Sequence, residues 1–539
     1  MKKLSARKMK WIERTAKNNR SYKLYLYNRF FSFLLMVLCQ IVGYVFAIYL
    51  IVYDSPAAFA LQSAIAVLEI VVVLYLINKH DRPTSRLNWI LLIMIAPIIG
   101  VPGYLLFGDG KPTRKMLKKI NASKEEIRAQ KAQALIKDGS VTDNSNENQA
   151  CENGIEHYLC EGFGYRPYYN GDVTYYENGE KMFPEMLSAL DSAEKYILLD
   201  YFIIANGKMW EEILKRLLQK AEQGVKIRII YDDFGCMMTL PPNYDRYLET
   251  LHENIRCLTF NNVVPFFAVR MNNRDHRKIL VVDGKTAFTG GINLADEYIN
   301  EKKRFGYWKD TGIKITGESV QSFVDMFLCT WNAFRKDKED AGWYLPPLQE
   351  RDGTQNEEKF VIQPYENSPL LRTSASEAVY ADMIQRAKRY IYIFTPYLIL
   401  GDYLRTELLM AARRGVDVRI VVPGIPDKKM TYRLTRANYP LLMKAGVKIY
   451  EYTPGFIHAK GMVCDDEYAV VGTANFDYRS LYFHFEDGVY FTKKSAVAAA
   501  KRDADEVFAV SKLCTKENTK RSMVGRLFDS VLCVFETMF

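Results

Sequence analysis

Two stretches of this 539-residue chain carry the same functional groups at the same spacing. The first reads His276-Arg-Lys278-Ile-Leu-Val-Val-Asp283, followed by Gly290-Gly291-Ile-Asn293. The second reads His458-Ala-Lys460-Gly-Met-Val-Cys-Asp465, followed by Gly472-Thr-Ala-Asn475. Each copy supplies an imidazole, a fixed positive charge and a carboxamide, and together they make a cage for a phosphate with two imidazoles to spare. Displacement at a phosphodiester needs a nucleophile on one side of phosphorus and a proton donor to the leaving alkoxide on the other, roles that two facing histidines can fill. Lys278, Lys460, Asn293 and Asn475 would neutralise the equatorial oxygens, as a metal does in other phosphoryl-transfer enzymes. Asp310, in Trp308-Lys-Asp-Thr, and Glu486, in Phe485-Glu-Asp, each follow their Asn and are candidates to orient their own domain's histidine; an ordinary surface carboxylate is the competing reading. The remaining histidines, His80, His157, His252 and His484, lack such company and read as loop, surface or satisfied core residues.

These groups have to be held by regular elements. On a strand, side chains alternate, so His276 and Lys278 share a face, as do His458 and Lys460. Asp283-Gly284-Lys285 and Asp465-Asp466-Glu467 read as hairpin turns; Asp283 and Asp465, although part of the motif, are therefore expected to brace it. Upstream, Tyr196 to Ile204 reads as a buried strand, Met209 to Gln223 as a helix and Val225 to Tyr231 as a further strand, an α/β grammar. That grammar recurs. Ser192-Ala-Glu-Lys-Tyr-Ile197 corresponds to Arg386-Ala-Lys-Arg-Tyr-Ile391, and Ala221-Glu-Gln-Gly-Val-Lys-Ile-Arg-Ile229 to Ala412-Arg-Arg-Gly-Val-Asp-Val-Arg-Ile420. Gly224 and Gly415 are placed as helix-terminating glycines. The expectation is two copies of one α/β domain, at 154–345 and 358–515, packed as a pseudo-twofold pair, with Tyr201, Phe202, Trp308 and Tyr397 as core aromatics.

Three apolar runs precede these domains, at 30–53, 57–77 and 89–107, each near or above the roughly 20 residues that cross a bilayer as a helix. N-terminal transmembrane helices are expected. The net charge of +10 is unevenly placed: residues 1–29 hold ten Lys or Arg and one acid, residues 79–119 hold eight and two, and from Ile120 onward the balance is about −3. Positive charge thus flanks the membrane segments, and the acidic remainder disfavours nucleic acid as a partner. The basic flanks put the tail and the loop near Arg82 in the cytoplasm, with 30–53 and 57–77 as a hairpin. Pro97, Gly100, Pro102 and Gly103 make 89–107 re-entrant or interfacial, which leaves the domains cytoplasmic. Glu69 inside the second run is a functional candidate or a contact with a neighbouring helix. Residues 111–153 read as a basic and polar tether, and 516–539 as a tail able to associate with the membrane. Nine scattered cysteines without a C-x-x-C pair suggest a reducing compartment and neither a disulfide framework nor a zinc site.

The doubled H-x-K-x-x-x-x-D motif with its trailing G-G-x-N or G-x-x-N resembles the phospholipase D superfamily. With the anchor ending Gly103-Tyr-Leu-Leu-Phe-Gly108, and with Phe456-Ile-His-Ala-Lys460 through Gly472-Thr-Ala-Asn-Phe-Asp-Tyr-Arg-Ser480, the chain is similar to the bacterial cardiolipin synthases. Leu481-Tyr-Phe-His-Phe-Glu-Asp-Gly-Val489 and Ala205-Asn206-Gly207 depart from that family's pattern. The resemblance implies a multi-pass protein of the bacterial cell membrane that makes cardiolipin and glycerol from two phosphatidylglycerol molecules through a phosphohistidine. No nucleotide, metal or other cofactor would be needed. His276, Lys278, Asp283, His458, Lys460 and Asp465 would form the catalytic motifs. A hydrolytic phospholipase D would use the same residues with water as acceptor. Which histidine attacks, and the oligomeric state, are left open by the sequence.

Overall fold

A computed structural model describes residues 56–79, 83–104, 113–137, 154–262, 272–346, 359–371, 373–517 and 519–536, with isolated positions before 56 and at 108. Two mixed sheets dominate it. The first runs in the order β1-β8-β6-β5-β2-β3-β4. Its strands are β1 (Asp172–Tyr176), β2 (Tyr196–Tyr201), β3 (Lys226–Asp232), β4 (Ile255–Phe260), β5 (Lys278–Val282), β6 (Thr286–Gly290) and β8 (Gly312–Thr316). The second runs β17-β12-β11-β10-β14-β15-β16-β9. It is built from β9 (Ile362–Asn367), β10 (Tyr390–Phe394), β11 (Asp417–Pro423), β12 (Lys448–Tyr452), β14 (Gly461–Cys464), β15 (Tyr468–Gly472), β16 (Glu486–Phe491) and β17 (Ser511–Leu513).

The internal repeat is visible in the pairing. β2 lies parallel to β3 and antiparallel to β5, with Tyr201 opposite Lys278. β10 lies parallel to β11 and antiparallel to β14, with Phe394 opposite Gly461. Each histidine therefore enters its sheet at the carboxyl end of the parallel strands, where open α/β sheets place ligands. The predicted turns hold: Asp283 and Gly284 have φ of 53° and 67°, and Asp465 and Asp466 have 54° and 61°. Two successive left-handed residues match the right-handed twist of a tight hairpin.

Packing follows the alternation of the strands. Along β2, Tyr196 and Leu198 enter a central core while Ile197, Leu199 and Tyr201 enter an outer one. The central core lies between the two sheets and holds the helices Val320–Phe334 and Lys494–Ala509, for example through Phe327, Trp331, Val497 and Phe508. The two domains thus share one apolar layer, and burying such a face is what holds layered domains together. The first helix of the range 154–345 reaches across to the other domain. Gly154–Phe163 packs with the second domain: Ile155 and Leu159 join Val379 and Met383, and Gln363 Nε2 donates to the Glu156 carbonyl at 3.1 Å.

The stretch read as a tether is, over Arg114–Lys137, a helix laid on Val320–Phe334; Ile120 and Ile127 are buried and Ser123 Oγ donates to the Cys329 carbonyl at 2.9 Å. Ahead of it, helix Pro56–Asn78 carries the second apolar run, and 89–107 is interrupted: helix Pro83–Ile95 stops at Ala96 and a new helix, Pro97–Gly103, begins. The residue before a proline is pushed out of the helical region, and Ala96 adopts φ −145° and ψ 69°. Leu76, Trp89, Ile93 and Tyr104 form a small core between these helices. Val67, Ile70, Val71, Leu74, Leu87, Met94 and Ile95 remain exposed. Among the described residues no helix is long and apolar enough to cross a membrane. The run 30–53 lies outside the described residues.

Candidate active site

The two halves meet through backbone exchange. β7 (Tyr307–Lys309) of the first domain and β13 (Gly455–Ile457) of the second form a two-stranded parallel sheet, with Phe456 opposite Trp308. His458 N donates to the Lys309 carbonyl at 2.7 Å. The counterpart is a parallel bridge between Asp275 and Phe485, in which His276 N donates to the Phe485 carbonyl and Phe485 N to the Arg274 carbonyl, both at 2.8 Å. Each histidine backbone is thus clipped to the opposite domain immediately beside that domain's acidic residue.

The consequence is a crossed pair of histidine–acid contacts. His458 Nδ1 lies 2.7 Å from Asp310 Oδ2, and His276 Nδ1 lies 2.7 Å from Glu486 Oε2. The expectation that each acid orients its own domain's histidine is therefore corrected: the pairs exchange across the interface, because β7 and Phe485, the residue before β16, pair with the other domain's histidine segment. A carboxylate on Nδ1 fixes the tautomer and leaves Nε2 free for chemistry. Gly291, in the trailing motif, is where Asp310 needs room; a Cβ there would overlap its carboxylate.

The lysines sit behind the histidines. Lys278 Nζ donates to the His276 carbonyl at 2.6 Å, and Lys460 Nζ donates to the His458 carbonyl. Both ammonium groups are buried. Burial, with the lysines beside them, holds both imidazoles below their ordinary value; His458 is held at about 4 despite the opposing pull of Asp310. Burial likewise lowers Lys278, and brings Lys460 down to about 7, with Lys278 adding to the effect. The two acids diverge. Burial alone would raise Asp310, but His458 and Lys460 keep it below the usual carboxylate range, whereas burial carries Glu486 well above it. Since His276 feels Lys460 and His458, and Lys460 feels Lys278 and Glu486, the two half-sites form one electrostatic unit.

Asp283 and Asp465 do not join this unit. They lie at the far ends of β5 and β14, where Asp283 accepts from the amides of Glu194, Lys195 and Tyr196 at 2.7–2.8 Å. Asp465 accepts from Lys388, Arg389 and Tyr390 at 2.6–2.9 Å. Both brace the turn that leads into the neighbouring strand. The carboxamides are engaged within their own domains: Asn293 Nδ2 donates to Tyr298 Oη at 2.7 Å and its Oδ1 accepts from Ile203 N at 3.0 Å. Asn475 Nδ2 donates to Asp477 and Ser480, both at 3.0 Å. Asn475 would have to exchange these partners to face an anion, whereas Asn293 Nδ2 has a second hydrogen to offer.

Three features escape a reading of the sequence. Arg277, between His276 and Lys278, points to the opposite face and is fully buried, bonded to Asp275 at 2.6 and 2.8 Å and to Glu366 of the second domain at 3.1 Å. Strand alternation was the available signal: if His276 and Lys278 face the site, the residue between them faces the domain interface. Phe202 and Trp308, placed as core aromatics, also wall the site, with ring centres 4.8 Å from His276 and 5.4 Å from His458. His484, read as a surface or satisfied core residue, is neither. It is buried, its ring centre is 5.7 Å from that of His276, and neither ring nitrogen has a hydrogen-bond partner among the described residues. His276, His484 and Glu486 offer ligand atoms within 4.8 Å of one another. A tetrahedral ion needs donors about 3.3 Å apart, so a metal there would require this trio to contract and His276 to share its acid.

Comparison with known proteins follows this geometry. A family model described as cardiolipin synthase, PLD-like domain, matches residues 186–314 and again 380–508, and a phospholipase D-nuclease N-terminal model matches 67–108. An uncharacterized protein of Streptococcus mutans is 42% identical over 84% of this chain and 96% of its own length. A cardiolipin synthase of Geobacillus kaustophilus is 32% identical over 88% of this chain and 92% of its own. Cardiolipin synthase 1 of Staphylococcus aureus is 30% identical over 83% and 90%. Among solved structures, phosphatidylserine synthase of Haemophilus influenzae shares the fold, with a TM-score of 0.54 over 71% of this chain and 99% of that one at 13% identity. The chain, with its two copies of the domain and its crossed histidine–acid pairs, belongs to the cardiolipin synthase family of phospholipase D-like proteins.

Proposed function

We propose that this chain is a membrane-bound phosphatidyltransferase that converts two phosphatidylglycerol molecules into cardiolipin and glycerol. The observation that carries the reading is the crossed pairing of His276 with Glu486 and of His458 with Asp310, which makes one site with two oriented imidazoles and two buried lysines.

In the first step one histidine Nε2 attacks phosphorus, the bond from phosphorus to the glycerol oxygen breaks, and the other histidine gives its proton to the departing alkoxide. The phosphatidyl group is then held on nitrogen. In the second step the headgroup hydroxyl of another phosphatidylglycerol loses its proton to that second histidine and attacks phosphorus; the P–N bond breaks and the first imidazole is released. The proton count closes over the cycle, so neither nucleotide nor oxidant is consumed. Burial, with Lys278 and Lys460 adding to it, depresses both imidazoles in the free site, and a bound phosphodiester anion offsets the lysines' share. The histidine that acts as acid enters this step protonated, its Nδ1–H held by the acid of the other domain.

Support for membrane attachment comes from the ends of the chain. Helix Pro56–Asn78 keeps large apolar side chains exposed, and its run 57–77 contains only Glu69 as a charge. Near the C-terminus, helix Met523–Cys533 exposes Met523, Val524, Leu527, Phe528 and Val531, while Arg433 and Arg521 hold Asp529 on its other side. An apolar stripe of this kind suits the headgroup–acyl boundary of a bilayer. The basic flanks of the N-terminal segments support a cytoplasmic position for the catalytic domains.

The test is product analysis. Purified protein is incubated with labelled phosphatidylglycerol and chelator in the absence of nucleotide. Cardiolipin and glycerol in equal amounts are expected from the wild type and neither from His276→Ala or His458→Ala. Accumulation of phosphatidic acid in place of cardiolipin would replace transfer by hydrolysis.

A further inference from the structure

His484 lies in Leu481-Tyr-Phe-His-Phe-Glu-Asp-Gly-Val489, and its position is set with unusual firmness. Its amide donates to the Arg479 carbonyl at 3.0 Å at the end of helix Tyr478–Tyr482. The next residue, Phe485, is the one bridged on both sides to Arg274 and His276, and the one after that is Glu486, the partner of His276. His484 is therefore locked to the His276 half of the site by the same cross-domain clip that orients the catalytic pair. Its ring is tilted 44° to that of His276 at 5.7 Å, and its Nδ1 stands 3.7 Å from Glu486 Oε1, beyond hydrogen-bond reach.

A buried imidazole always carries a donor, an acceptor or both, and leaving them unmatched is unfavourable unless a ligand completes them. With 9% of its surface exposed and no partner on either nitrogen among the described residues, His484 has that unmet capacity beside the reacting groups. The chemistry of the missing partner can be narrowed. Burial, reinforced by Arg479, Arg274 and Lys278, holds the ring neutral. A neutral imidazole presents one donor and one acceptor, whereas phosphate oxygens only accept. The matching group is a hydroxyl, which both donates and accepts.

We propose that His484 is a headgroup-binding residue of the active site that holds a free hydroxyl of the glycerol moiety. This inference rests on the phosphatidylglycerol reading above, because that headgroup has two hydroxyls besides its ester oxygen. His484 acts in binding, and His276 and His458 carry the chemistry.

The experiment compares single-turnover release of the headgroup alcohol, with enzyme in excess over lipid, from phosphatidylglycerol and from phosphatidylethanol, whose headgroup has no free hydroxyl, by wild type, His484→Phe and His484→Gln. Phe keeps the ring and removes both nitrogens; Gln keeps a donor and an acceptor. His484→Phe should lower the second-order rate constant of that release for phosphatidylglycerol about tenfold relative to phosphatidylethanol, chiefly through affinity, and His484→Gln should hold the ratio within about threefold of wild type. An equal loss on both lipids, or no loss, overturns the proposal. If the Phe variant does not fold, His484→Leu supplies the same ratio. Wild type that releases glycerol but yields only phosphatidic acid defeats the transfer reading while leaving the hydroxyl subsite standing, and cardiolipin formation with an unchanged ratio does the reverse.

Discussion

Replacing Asp310 by Asn removes one charge from a buried site while keeping its shape. Asp310 has no exposed surface, sits 2.7 Å from His458 Nδ1 and belongs to the other domain. When His458 becomes cationic or bonds to phosphorus, that carboxylate faces a developing positive charge. Full unit charges at this distance interact by about 6 kcal/mol at an effective dielectric of 20, and a partly developed charge with a hydrogen bond retained brings the expected loss to about 3–4 kcal/mol. That corresponds to a fall in kcat of about two to three orders of magnitude. KM should move little, because His458 separates Asp310 from substrate. Initial rates of cardiolipin formation in mixed micelles measure the loss. Nitrogen-15 spectra of the histidines show where it acts: the His458 signals should shift and those of His276 should stay. A loss below fivefold, or a shift at His276 in place of His458, would refute the crossed arrangement.

Glu486→Gln is the companion change. Because burial already favours the neutral form of Glu486, removing its charge should cost about tenfold less in kcat than Asp310→Asn, measured in the same assay. Asp283→Ala should act on folding: loss of three amide acceptor contacts is worth about 2–4 kcal/mol, read as a lower Tm, with kcat of the folded protein within about threefold of wild type. Acid should destabilise the fold through His458. Its folded value of about 4 lies below the ordinary 6.5, so the stability gained by keeping it neutral is complete above pH 6.5 and is lost as the pH falls towards 4. Between pH 7.5 and 5 this one group accounts for about 2 kcal/mol, and His458→Gln should flatten that part of the Tm–pH curve.

Much of this site is legible in the sequence because its information is local. The two-residue spacing of His276 and Lys278 specifies a shared strand face, and Asp283-Gly284 and Asp465-Asp466 specify tight turns, so the bracing role of the two aspartates follows from a few adjacent residues. The repeat is legible for the same reason, since Ala221 to Ile229 and Ala412 to Ile420 each encode one helix–glycine–strand junction, and Gly224 and Gly415 both adopt the expected positive φ. What is not local is lost. The exchange of acids between domains depends on the three-residue strands β7 and β13, whose pairing spans 148 positions and has no sequence period to reveal it. The second domain's claim on Gly154–Phe163 is likewise a matter of where Ile155 and Leu159 find apolar partners. His484 was obscured because a lone histidine in an apolar stretch is ordinarily a satisfied core residue, and only its unbonded nitrogens beside His276 set it apart.

Whether the two motifs build one site is decided by the stoichiometry of the covalent intermediate. Protein mixed with phosphatidylglycerol labelled in its phosphate, and quenched under conditions that preserve phosphohistidine, should carry at most one phosphatidyl group per chain. It should be attached to one of His276 and His458, and be absent when that histidine is replaced. Two labels per chain, or a label that survives both His276→Ala and His458→Ala, would contradict the account.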